Sequence, residues 1–557
     1  MPPTPELAET PPDAPGLAPP PPPRPARAAG ERPPLGLWSL SLVLAALFAV
    51  PFGYLVVRSA GLGGDLWETL TSERTLAPLV RSLTLATAVT VTAAAIGTAT
   101  AWIAVRTDVP LRAVWRVLLP LPLVIPSFVG AAALLAAFAP GGLVAELVEP
   151  LGVDQLPRVD GFAGAFVVLS LLTYPYVFLP VAARLAQLPP SLEESARLLG
   201  SRPVAVFRTV VLPQCQGAIW AGGLLVFLYT LSDFGAVQLM RYDAITRRIY
   251  SARLADRATS LTLGLVLALL ALAVVVAERA VGRRRLVSEA AGGRRALRVA
   301  LGRWKAPATA VVSLVVGLAL LVPVAVLAYW AQRGLRLGGN AAGPLAGDPG
   351  RLGELAFNTA SVSVATAVVA IAVVLPLAFL TVRYRTVVGA ATNAVVVAGF
   401  ALPGLVIALA LVVLALQVPS GLGLYQSFPL LVFAYVTHFG AQGMRAAQVA
   451  VGGVPRRLDD AARTLGASRL RRLRTVDLPL MLPGLLAGAG IVLLSTMKEL
   501  PATLLLAPLG FQTLATRVWG ATEDGFLADA SLAALTLVVL SGVLTWLLVI
   551  RRAEATT

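Results

Sequence analysis

The feature that most constrains the fold is a succession of apolar segments, each long enough to cross a lipid bilayer. The chain has 557 residues, of which 57% are hydrophobic and 13% charged, whereas about a quarter of the residues in a soluble domain are charged. A membrane-spanning helix needs about 20 apolar residues. Twelve segments qualify, centred near residues 47, 92, 128, 172, 227, 270, 318, 369, 404, 439, 495 and 540. We predict an all-α, polytopic membrane protein with about 12 transmembrane helices.

The placement of arginine predicts the orientation, because Lys and Arg concentrate in cytoplasmic loops. If both termini are cytoplasmic, the inward-facing segments carry most of the positive charge behind the net charge of +16. Topology therefore explains the charge, and nucleic-acid binding is not expected. One external loop departs from the pattern and contains Arg241, Arg247, Arg248, Arg253 and Arg257. Contact with a partner and simple tolerance of loop charge are both open for these residues.

Composition excludes several kinds of catalytic site. The single cysteine, Cys215, rules out an internal disulfide and any multi-cysteine metal site. The single histidine, His438, lies in an apolar segment, where a hydrogen bond between helices is favoured over metal ligation. A phosphate-binding P-loop needs Gly-Lys followed by Ser or Thr, and neither lysine of the chain, Lys305 or Lys498, has that context. We expect no enzymatic activity in this chain.

The chain is predicted to consist of two homologous halves. Residues 81–84 (Arg-Ser-Leu-Thr) parallel residues 358–361 (Asn-Thr-Ala-Ser) at an offset of 277, and Pro126 and Pro403 share that offset. Further along each half the offset is 266, so the first half has eleven extra residues, which we assign to the external stretch 140–160. An even number of spans in each half makes this a parallel repeat, with its pseudo-two-fold axis along the membrane normal.

Four regions result. Residues 1–35 are a Pro-rich cytoplasmic tail that we expect to be disordered, and residues 282–306 are a basic cytoplasmic linker. Residues 36–281 and 307–552 are the two membrane domains. A proline-binding partner is an alternative to an inert tail. Contact with anionic lipid is an alternative to linker arginines that only fix the topology.

A charged pattern lies between apolar segments in both halves. Its first copy contains Glu194-Ser195-Ala196, Gly200, Val210 and Leu212-Pro213. Its second copy has identical spacing at an offset of 266 and contains Asp460-Ala461-Ala462, Gly466, Val476 and Leu478-Pro479. A glycine can end a helix in the left-handed conformation. Each copy is therefore predicted to form a helix–Gly–helix elbow on the cytoplasmic face.

Local signals predict how the elbow helices begin. Ser191 and Glu194 have the spacing of a capping box, so the first helix should start at Ser191. Ser201 and Ser468 are expected to cap the second short helices. An elbow of this kind suits docking into a groove on a partner. A lipid-facing amphipathic loop is the alternative, but it would not require the same spacing in both halves.

The two patterns resemble the coupling-helix motif of permeases in bacterial ABC importers, which reads Glu-Ala-Ala, three residues, Gly, nine residues, Ile, one residue, Leu-Pro. The departures are Ser195 for Ala, Asp460 for Glu, and Val210 and Val476 for Ile. Residues 231–235 (Leu-Ser-Asp-Phe-Gly) and 498–504 (Lys-Glu-Leu-Pro-Ala-Thr-Leu) resemble ferric-iron transport permeases with two fused permease domains. The resemblance covers residues 36–552.

This resemblance implies a permease subunit in the bacterial inner membrane, driven by ATP and importing ferric iron. Two cytoplasmic ATP-binding subunits would hold ATP and Mg²⁺, this chain would hold no cofactor, and an extracytoplasmic solute-binding protein would deliver the cargo. The residues implied in coupling are Glu194, Ser195, Ala196, Gly200, Leu212, Pro213, Asp460, Ala461, Ala462, Gly466, Leu478 and Pro479. A same-family importer of thiamine, polyamine or an oxyanion is one alternative. An ion-coupled secondary transporter is another.

Charged side chains inside the membrane provide a second candidate site. Asp233 and Glu499 are related by the offset of 266, and Lys498 precedes Glu499. Intramembrane carboxylates usually face the bundle interior or a water-filled pathway, so we predict that these three residues line a translocation pathway. The two carboxylates suit transient ligation of ferric iron, without a stable metal site. Alternatively, they only cap the helix breaks at Gly235 and Pro501, with Lys498 neutralising one of them.

Overall fold

The structure, a computed structural model, describes residues 33–61, 64–152, 156–253, 256–283, 299–337, 343–345, 348–384, 386–419, 423–545 and 547. Most of the predicted tail and most of the predicted linker lie outside these residues. The described part of the chain is helical apart from its turns and loops, and it contains no strand beyond an isolated bridge between Thr107 and Val299. The all-α prediction is confirmed.

The helices of the first half are α1 Leu35–Ala60, α2 Gly64–Thr71, α3 Glu73–Arg106, α4 Arg112–Leu118, α5 Ser127–Phe138, α6 Leu143–Val148, α7 Gly161–Thr173, α8 Pro175–Gln187, α9 Pro190–Leu198, α10 Pro203–Val206, α11 Leu212–Ser232, α12 Gly235–Leu239, α13 Ile245–Ala252 and α14 Arg257–Arg283. Those of the second half are α15 Lys305–Val316, α16 Val322–Leu337, α17 Pro349–Phe379, α18 Val387–Ala401, α19 Gly404–Ala415, α20 Phe428–Gly453, α21 Arg456–Thr464, α22 Arg469–Arg472, α23 Leu478–Met497, α24 Pro501–Leu506, α25 Leu514–Glu523 and α26 Leu527–Thr545.

All twelve predicted spans are helical. Ten stretches in the described residues are long and apolar enough to cross a membrane, and the pair Val387–Phe400 and Gly404–Ala415, bent by 101°, makes up to eleven. The remaining predicted span is α20, whose 26 residues extend about 39 Å. Polar residues such as His438, Gln442 and Arg445 interrupt the apolar stretch of α20, which suits a helix surrounded largely by protein.

The predicted repeat is visible in the packing. Helices α3, α8 and α11 pack on one another in the first half, and α17, α20 and α23 form the same three-helix core in the second. The hydroxyl of Ser82 accepts the backbone N–H of Ile245 at 2.8 Å, and the hydroxyl of Thr359 accepts that of Leu514 at 2.9 Å. Residues related by the offset of 277 therefore make equivalent contacts.

The first span of each half packs against the other half. Helix α1 contacts α17, α18 and α19, while α16 contacts α5. The stretch 140–160 adds to this interlocking, because Arg333 of α16 donates to the carbonyl oxygen of Gly141 at 2.8 Å and pairs with Glu146 at 3.2 Å. The eleven extra residues assigned to this stretch thus belong to a segment that is held by the opposite half.

Candidate functional site

Both copies of the charged pattern fold as the predicted elbow. Helix α9 is followed by Gly200 and α10, and α21 is followed by Gly466 and α22. Gly200 has φ +83° and Gly466 has φ +74°, which is the left-handed region that a residue with a Cβ occupies only with strain. The turn between the two short helices therefore depends on glycine in both halves.

The side chains of the motif divide between the surface and the interior of the elbows. Glu194, Ser195, Asp460 and Ala461 are exposed, Ala196 is half-buried and Ala462 is buried. Next to each glycine a leucine faces solvent, since Leu199 is 86% and Leu465 is 87% exposed. These leucines are related by the offset of 266. Both elbows therefore expose an apolar side chain at the same point.

The start of the first elbow differs from the prediction. Helix α9 begins at Pro190, and no side chain caps its first turn. The capping-box prediction at Ser191 was wrong because Pro190 suits the first helical position, where its missing N–H is not needed, so Ser191 lies inside the helix. In the second elbow, Ser468 caps α22 as predicted and accepts a backbone N–H at 3.3 Å.

The Leu-Pro pair that closes each pattern opens the next span. Leu212 and Pro213 begin α11, and Leu478 and Pro479 begin α23. One turn of π-helix precedes each span. Each elbow is thereby joined without a loop to a span of the three-helix core.

Two ion pairs that join the first helix of each elbow to the end of a core span were not predicted from the sequence. Arg106 pairs with Glu193 in the first half, and Arg383 pairs with Asp459 at 3.5 Å in the second. The signal that could have found them is the repeat, because the two arginines share the offset of 277 and the two acids share that of 266. An arginine at the predicted cytoplasmic end of a span is explained by topology alone, so there was no reason to predict a buried partner for either arginine.

Asp233 lies at the break between α11 and α12, which is about 30 Å along α11 from the elbow. Its carboxylate accepts the backbone N–H groups of Ala236 at 2.9 Å and Val237 at 3.3 Å, and the hydroxyl of Ser127 at the start of α5. Asp233 is only 7% exposed. The carboxylate therefore caps α12 and ties it to α5.

Glu499 lies at the equivalent break between α23 and α24 and accepts the backbone N–H of Ala502 at 2.9 Å. Gly404 stands where the first half has Ser127, at the offset of 277. A Cβ at Gly404 would lie 2.7 Å from a carboxylate oxygen of Glu499. The longer acid thus fits against glycine, and the shorter acid reaches a serine. Capping is observed for both carboxylates, and contact with cargo stays a prediction.

Lys498 reaches the other half of the molecule. Its ammonium donates to the carbonyl oxygen of Leu123 at 2.8 Å, just before the break at Pro126. Within the described residues, the hydrogen-bond partner of Lys498 is this carbonyl and neither of the two carboxylates. The lysine therefore bridges the two halves instead of neutralising Asp233 or Glu499 as the alternative proposed.

Apolar side chains close the space beside the carboxylates. Phe234 and Leu500 follow the two acids at the offset of 266 and are 2% and 1% exposed. The ring of Phe234 stacks on Trp519 of the other half, with centroids 5.3 Å apart. Leu500 packs against the backbone of Gly235. These contacts form an apolar plug between the two halves.

A cavity of about 840 Å³ lies at the end of the helices opposite the elbows, and residues of both halves line it. Its charged lining consists of Arg158, Asp160, Arg241, Arg247 and Glu523. Two of the five external arginines that departed from the topology pattern therefore face a shared cavity. The cavity begins one helical turn beyond the apolar plug, at Gln238 and Leu239.

The lone cysteine is buried, and the ring of the lone histidine packs against aromatic side chains. Cys215 is a buried free thiol. The ring of His438 lies beside the rings of Phe400 and Phe439, with centroids 6.3 Å and 4.4 Å away. Over the described ranges, no three His, Cys, Asp or Glu side chains are grouped so as to hold a metal ion.

Comparison with known proteins finds one family in both halves. The family described as "Binding-protein-dependent transport system inner membrane component" matches residues 93–287 and again residues 372–554. The "Fe(3+)-transport system permease protein FbpB 2" of Haemophilus influenzae is 30% identical over 534 residues, which cover 93% of this chain and 98% of that protein. The alignment therefore includes both halves.

Two relatives that match only part of this chain have other names. The "Sulfate transport system permease protein CysT" of Salmonella typhimurium is 28% identical over 204 residues, 36% of this chain and 73% of that protein. The "Molybdenum transport system permease protein ModB" of Mycobacterium tuberculosis is 30% identical over 218 residues, 38% of this chain and 81% of that protein.

Proposed function

Because this chain belongs to the family of binding-protein-dependent transport system inner membrane components and is an ABC-type permease with two fused permease domains, we propose that it imports ferric iron, driven by ATP. The observation that carries the proposal is the pair of equivalent elbows. Each has a left-handed glycine, an exposed leucine and a direct junction to a core span. Two equivalent contact points fit a partner that is itself two-fold.

The partners of this permease are two cytoplasmic ATP-binding subunits, one for each elbow, and an extracytoplasmic solute-binding protein. ATP and Mg²⁺ are held by those subunits, because neither lysine of this chain stands in a P-loop. Both termini are cytoplasmic, which also puts the elbows in the cytoplasm, the arginine-lined cavity outside and the protein in the bacterial inner membrane. The solute-binding protein would deliver its cargo at that cavity.

Two observations support ferric iron as the cargo. The relative that matches nearly the whole chain is named an Fe(3+)-transport permease. The carboxylates of Asp233 and Glu499 offer hard oxygen atoms, which a trivalent iron ion prefers. We propose that these carboxylates and Lys498 line the translocation pathway and contact the cargo only transiently.

An oxyanion importer is the second candidate. Arg158, Arg241 and Arg247 line the external cavity, and two relatives are named for sulfate and molybdenum transport. Guanidinium groups recognise oxyanions through paired hydrogen bonds. For thiamine or polyamine cargo we find no corresponding feature in the described residues. A secondary transporter has no support from the family to which this chain belongs.

The proposed cargo is tested with the whole complex. The chain is purified with its ATP-binding subunits, reconstituted in lipid vesicles and supplied with solute-binding proteins loaded with ferric iron, sulfate or molybdate. Only the iron-loaded protein should stimulate ATP hydrolysis and deliver its cargo to the vesicle interior. Stimulation by a loaded oxyanion-binding protein alone would replace iron by an oxyanion as the cargo.

The docking role of the elbows is tested with Gly200→Ile and Gly466→Ile. Each substitution puts a β-branched residue in left-handed backbone, which deforms the turn. The variants should insert in the membrane but retain less of the ATP-binding subunits on co-purification, and the double variant least. Gly217→Ile is the matched control, since Gly217 has an ordinary φ and open space around it. Full subunit retention and normal transport in the double variant would refute docking at the elbows.

A further inference from the structure

Arg106 is the largest of the fully buried side chains in the described residues. It ends α3, where the partial negative charge of a helix C-terminus favours a cation. The side chain of Arg106 is 1% exposed, and that of its ion-pair partner Glu193 is 3% exposed. Arg106 also donates to the carbonyl oxygen of Leu185, near the end of α8. One arginine thus joins α3, α8 and the first helix of the elbow, α9.

The second half has the equivalent pair. Arg383 lies at the same end of the α17 span, in the turn of π-helix Leu380–Tyr384, and its guanidinium is 3.5 Å from the carboxylate of Asp459 in α21. It donates to the carbonyl oxygen of Val454, after α20, at 3.1 Å. The same three elements are therefore joined in both halves, although Glu is replaced by Asp and the pair is slightly more open. Such duplication is not expected of an incidental contact.

We propose that the pairs Arg106–Glu193 and Arg383–Asp459 are the positioning contacts that transmit movement of each elbow to the core of its own half. Each pair attaches the first elbow helix to α3 or α17. Those spans pack on α11 and α23, which end one residue before Asp233 and two residues before Glu499. The route from the elbow to the membrane carboxylates therefore consists of packed, described elements throughout.

A buried ion pair suits this role because it has one favourable geometry. Both charges have lost their hydration, so moving one partner without the other would leave an uncompensated charge in a poorly solvated place. The elbow and the span end must then move together. By contrast, the pair Asp108–Lys305, which also begins at the end of α3, has side chains that are 32% and 47% exposed. Water can replace either partner there, and the constraint is weak.

The two ion pairs, Arg106–Glu193 and Arg383–Asp459, differ in one respect. In the first, Glu193 has one further partner, Arg197 of the same helix, which lies 4.0 Å away and is 38% exposed. The second pair is part of a longer chain of charges. Arg472, at the end of α22, lies 3.5 Å from Asp459 and 3.6 Å from Asp477, which precedes α23. The second elbow is thus held at both of its short helices. Loss of Glu193 should therefore weaken the connection between the elbow and the core of its half more than loss of Asp459 does.

This inference rests on the proposed docking of ATP-binding subunits at the elbows, and its test uses only complexes that have assembled. The variants are Glu193→Gln, Asp459→Asn and the double variant Arg106→Met with Glu193→Gln. The measurement is the number of ATP molecules hydrolysed for each cargo delivered by the reconstituted complex with its loaded binding protein. We expect Glu193→Gln to raise that ratio about fivefold or more, the lower end of typical coupling between sites, and Asp459→Asn to raise it less.

The control is Asp108→Asn with Lys305→Met, which removes the exposed pair and should leave the ratio unchanged. A stabilising role alone would lower the yield and the Tm of the complex but leave the ratio normal in the complexes that form. A normal ratio in assembled Glu193→Gln complexes would overturn the proposal. If that variant does not assemble, the double variant, which buries no unpaired charge, and the more open Asp459→Asn decide by the same ratio. Loss of ATP-binding subunits from Gly200→Ile tests docking alone, whereas the ratio tests coupling in complexes that have assembled. Failure of the docking proposal and failure of this proposal are therefore distinguishable.

Discussion

Asp233 and Glu499 occupy equivalent breaks in the two halves but reach their neighbours over side chains of different length. Asp233 accepts two backbone N–H groups and the hydroxyl of Ser127, and Glu499 accepts one backbone N–H beside Gly404. The second half therefore combines a larger acid with a smaller neighbour. An amide in place of either acid keeps an oxygen that can cap the short helix and removes only the negative charge.

Replacing the acids by amides therefore separates the pathway role, which needs the negative charge, from the capping role, which needs only an oxygen atom. The double variant Asp233→Asn with Glu499→Gln should assemble normally, because its caps persist, yet deliver iron at least tenfold more slowly, which corresponds to about 1.4 kcal/mol of barrier. The variant Asp233→Ala with Glu499→Ala loses the caps as well, at a cost of about 0.5–2 kcal/mol each, and should also lose Tm. Iron uptake is measured per assembled complex. Unchanged uptake in the amide variant would leave these acids with capping alone.

Asp108 provides a pH-dependent contact outside the membrane. Its carboxylate accepts the ammonium of Lys305 at 2.7 Å and the backbone N–H of Leu301 at 2.8 Å, and these bonds lower the pKa of Asp108 below its ordinary value. A lowered pKa means that the contact is fully present above about pH 3.9, the ordinary pKa of Asp. It is lost only as the pH falls further, through the pKa of the folded state.

We therefore expect the bridge between Thr107 and Val299 to survive acidification to about pH 5. Hydrogen exchange at the amide of Val299, which donates to the carbonyl oxygen of Arg106 at 2.8 Å, reports on it after correction for the intrinsic rate. Protection should be constant from pH 7 to pH 5. In Asp108→Asn it should be lower at every pH. Protection that falls between pH 7 and pH 5 in the unmodified protein would contradict this account.

At the scale of elements, glycine determines how closely the core helices approach. A Cβ at Gly222 of α11 would lie 2.6 Å from the carbonyl oxygen of Tyr176 in α8, and one at Gly488 of α23 would lie 2.5 Å from the Cβ of Ala446 in α20. The two glycines are related by the offset of 266. Small residues at such crossings allow close backbone packing in membranes, where water supplies no driving force between helices.

Gly222→Leu should therefore separate α11 from α8. Overpacking of this kind costs about 1–3 kcal/mol, and we expect a lower Tm and a lower yield of monodisperse protein in detergent. Gly217→Leu in the same helix is the control, because a Cβ at Gly217 would have no neighbour from another element within 4 Å. Thermal unfolding gives the Tm, and size-exclusion chromatography gives the yield of monodisperse protein. Equal Tm values for the two variants would contradict the proposed packing constraint.

Elements were more predictable from the sequence than the contacts between them. Apolar length located ten spans, or eleven with the bent pair at Pro403, and the spacing of glycine located both elbows, because these signals are local. The start of α9 was predicted wrongly, since Pro190 is itself the first helical residue. The partners of Arg106 and Lys498 were missed for another reason. They are Glu193 and Leu123, which are distant in the chain from the groups they bind, and only the tertiary fold brings them together.

At the scale of the whole molecule, the two halves are interlocked and not merely adjacent. The first span of each half packs on the other half, and Arg333 holds the stretch 140–160 across the boundary. Lys498 and the stacking of Phe234 on Trp519 add two further contacts between halves at the level of the carboxylates. Access through the centre therefore requires the halves to shift against each other, and a movement applied at both elbows together would do this.

This arrangement predicts the source of energy for transport. A proton-coupled carrier would use an intramembrane carboxylate that exchanges protons with either side, but the carboxylates of both Asp233 and Glu499 are engaged in hydrogen bonds that cap helices. In the proposed function, the elbows instead give ATP-binding subunits a direct connection to the core. Uptake into vesicles should therefore require ATP and Mg²⁺ on the elbow side, and it should continue when an ionophore dissipates the proton gradient at constant ATP.

Glu193→Gln should hydrolyse ATP under the same conditions with little uptake, so that hydrolysis and transport are measured separately. Uptake that stops with the gradient while ATP is constant, or that proceeds without ATP, would contradict ATP-driven transport and favour an ion-coupled carrier.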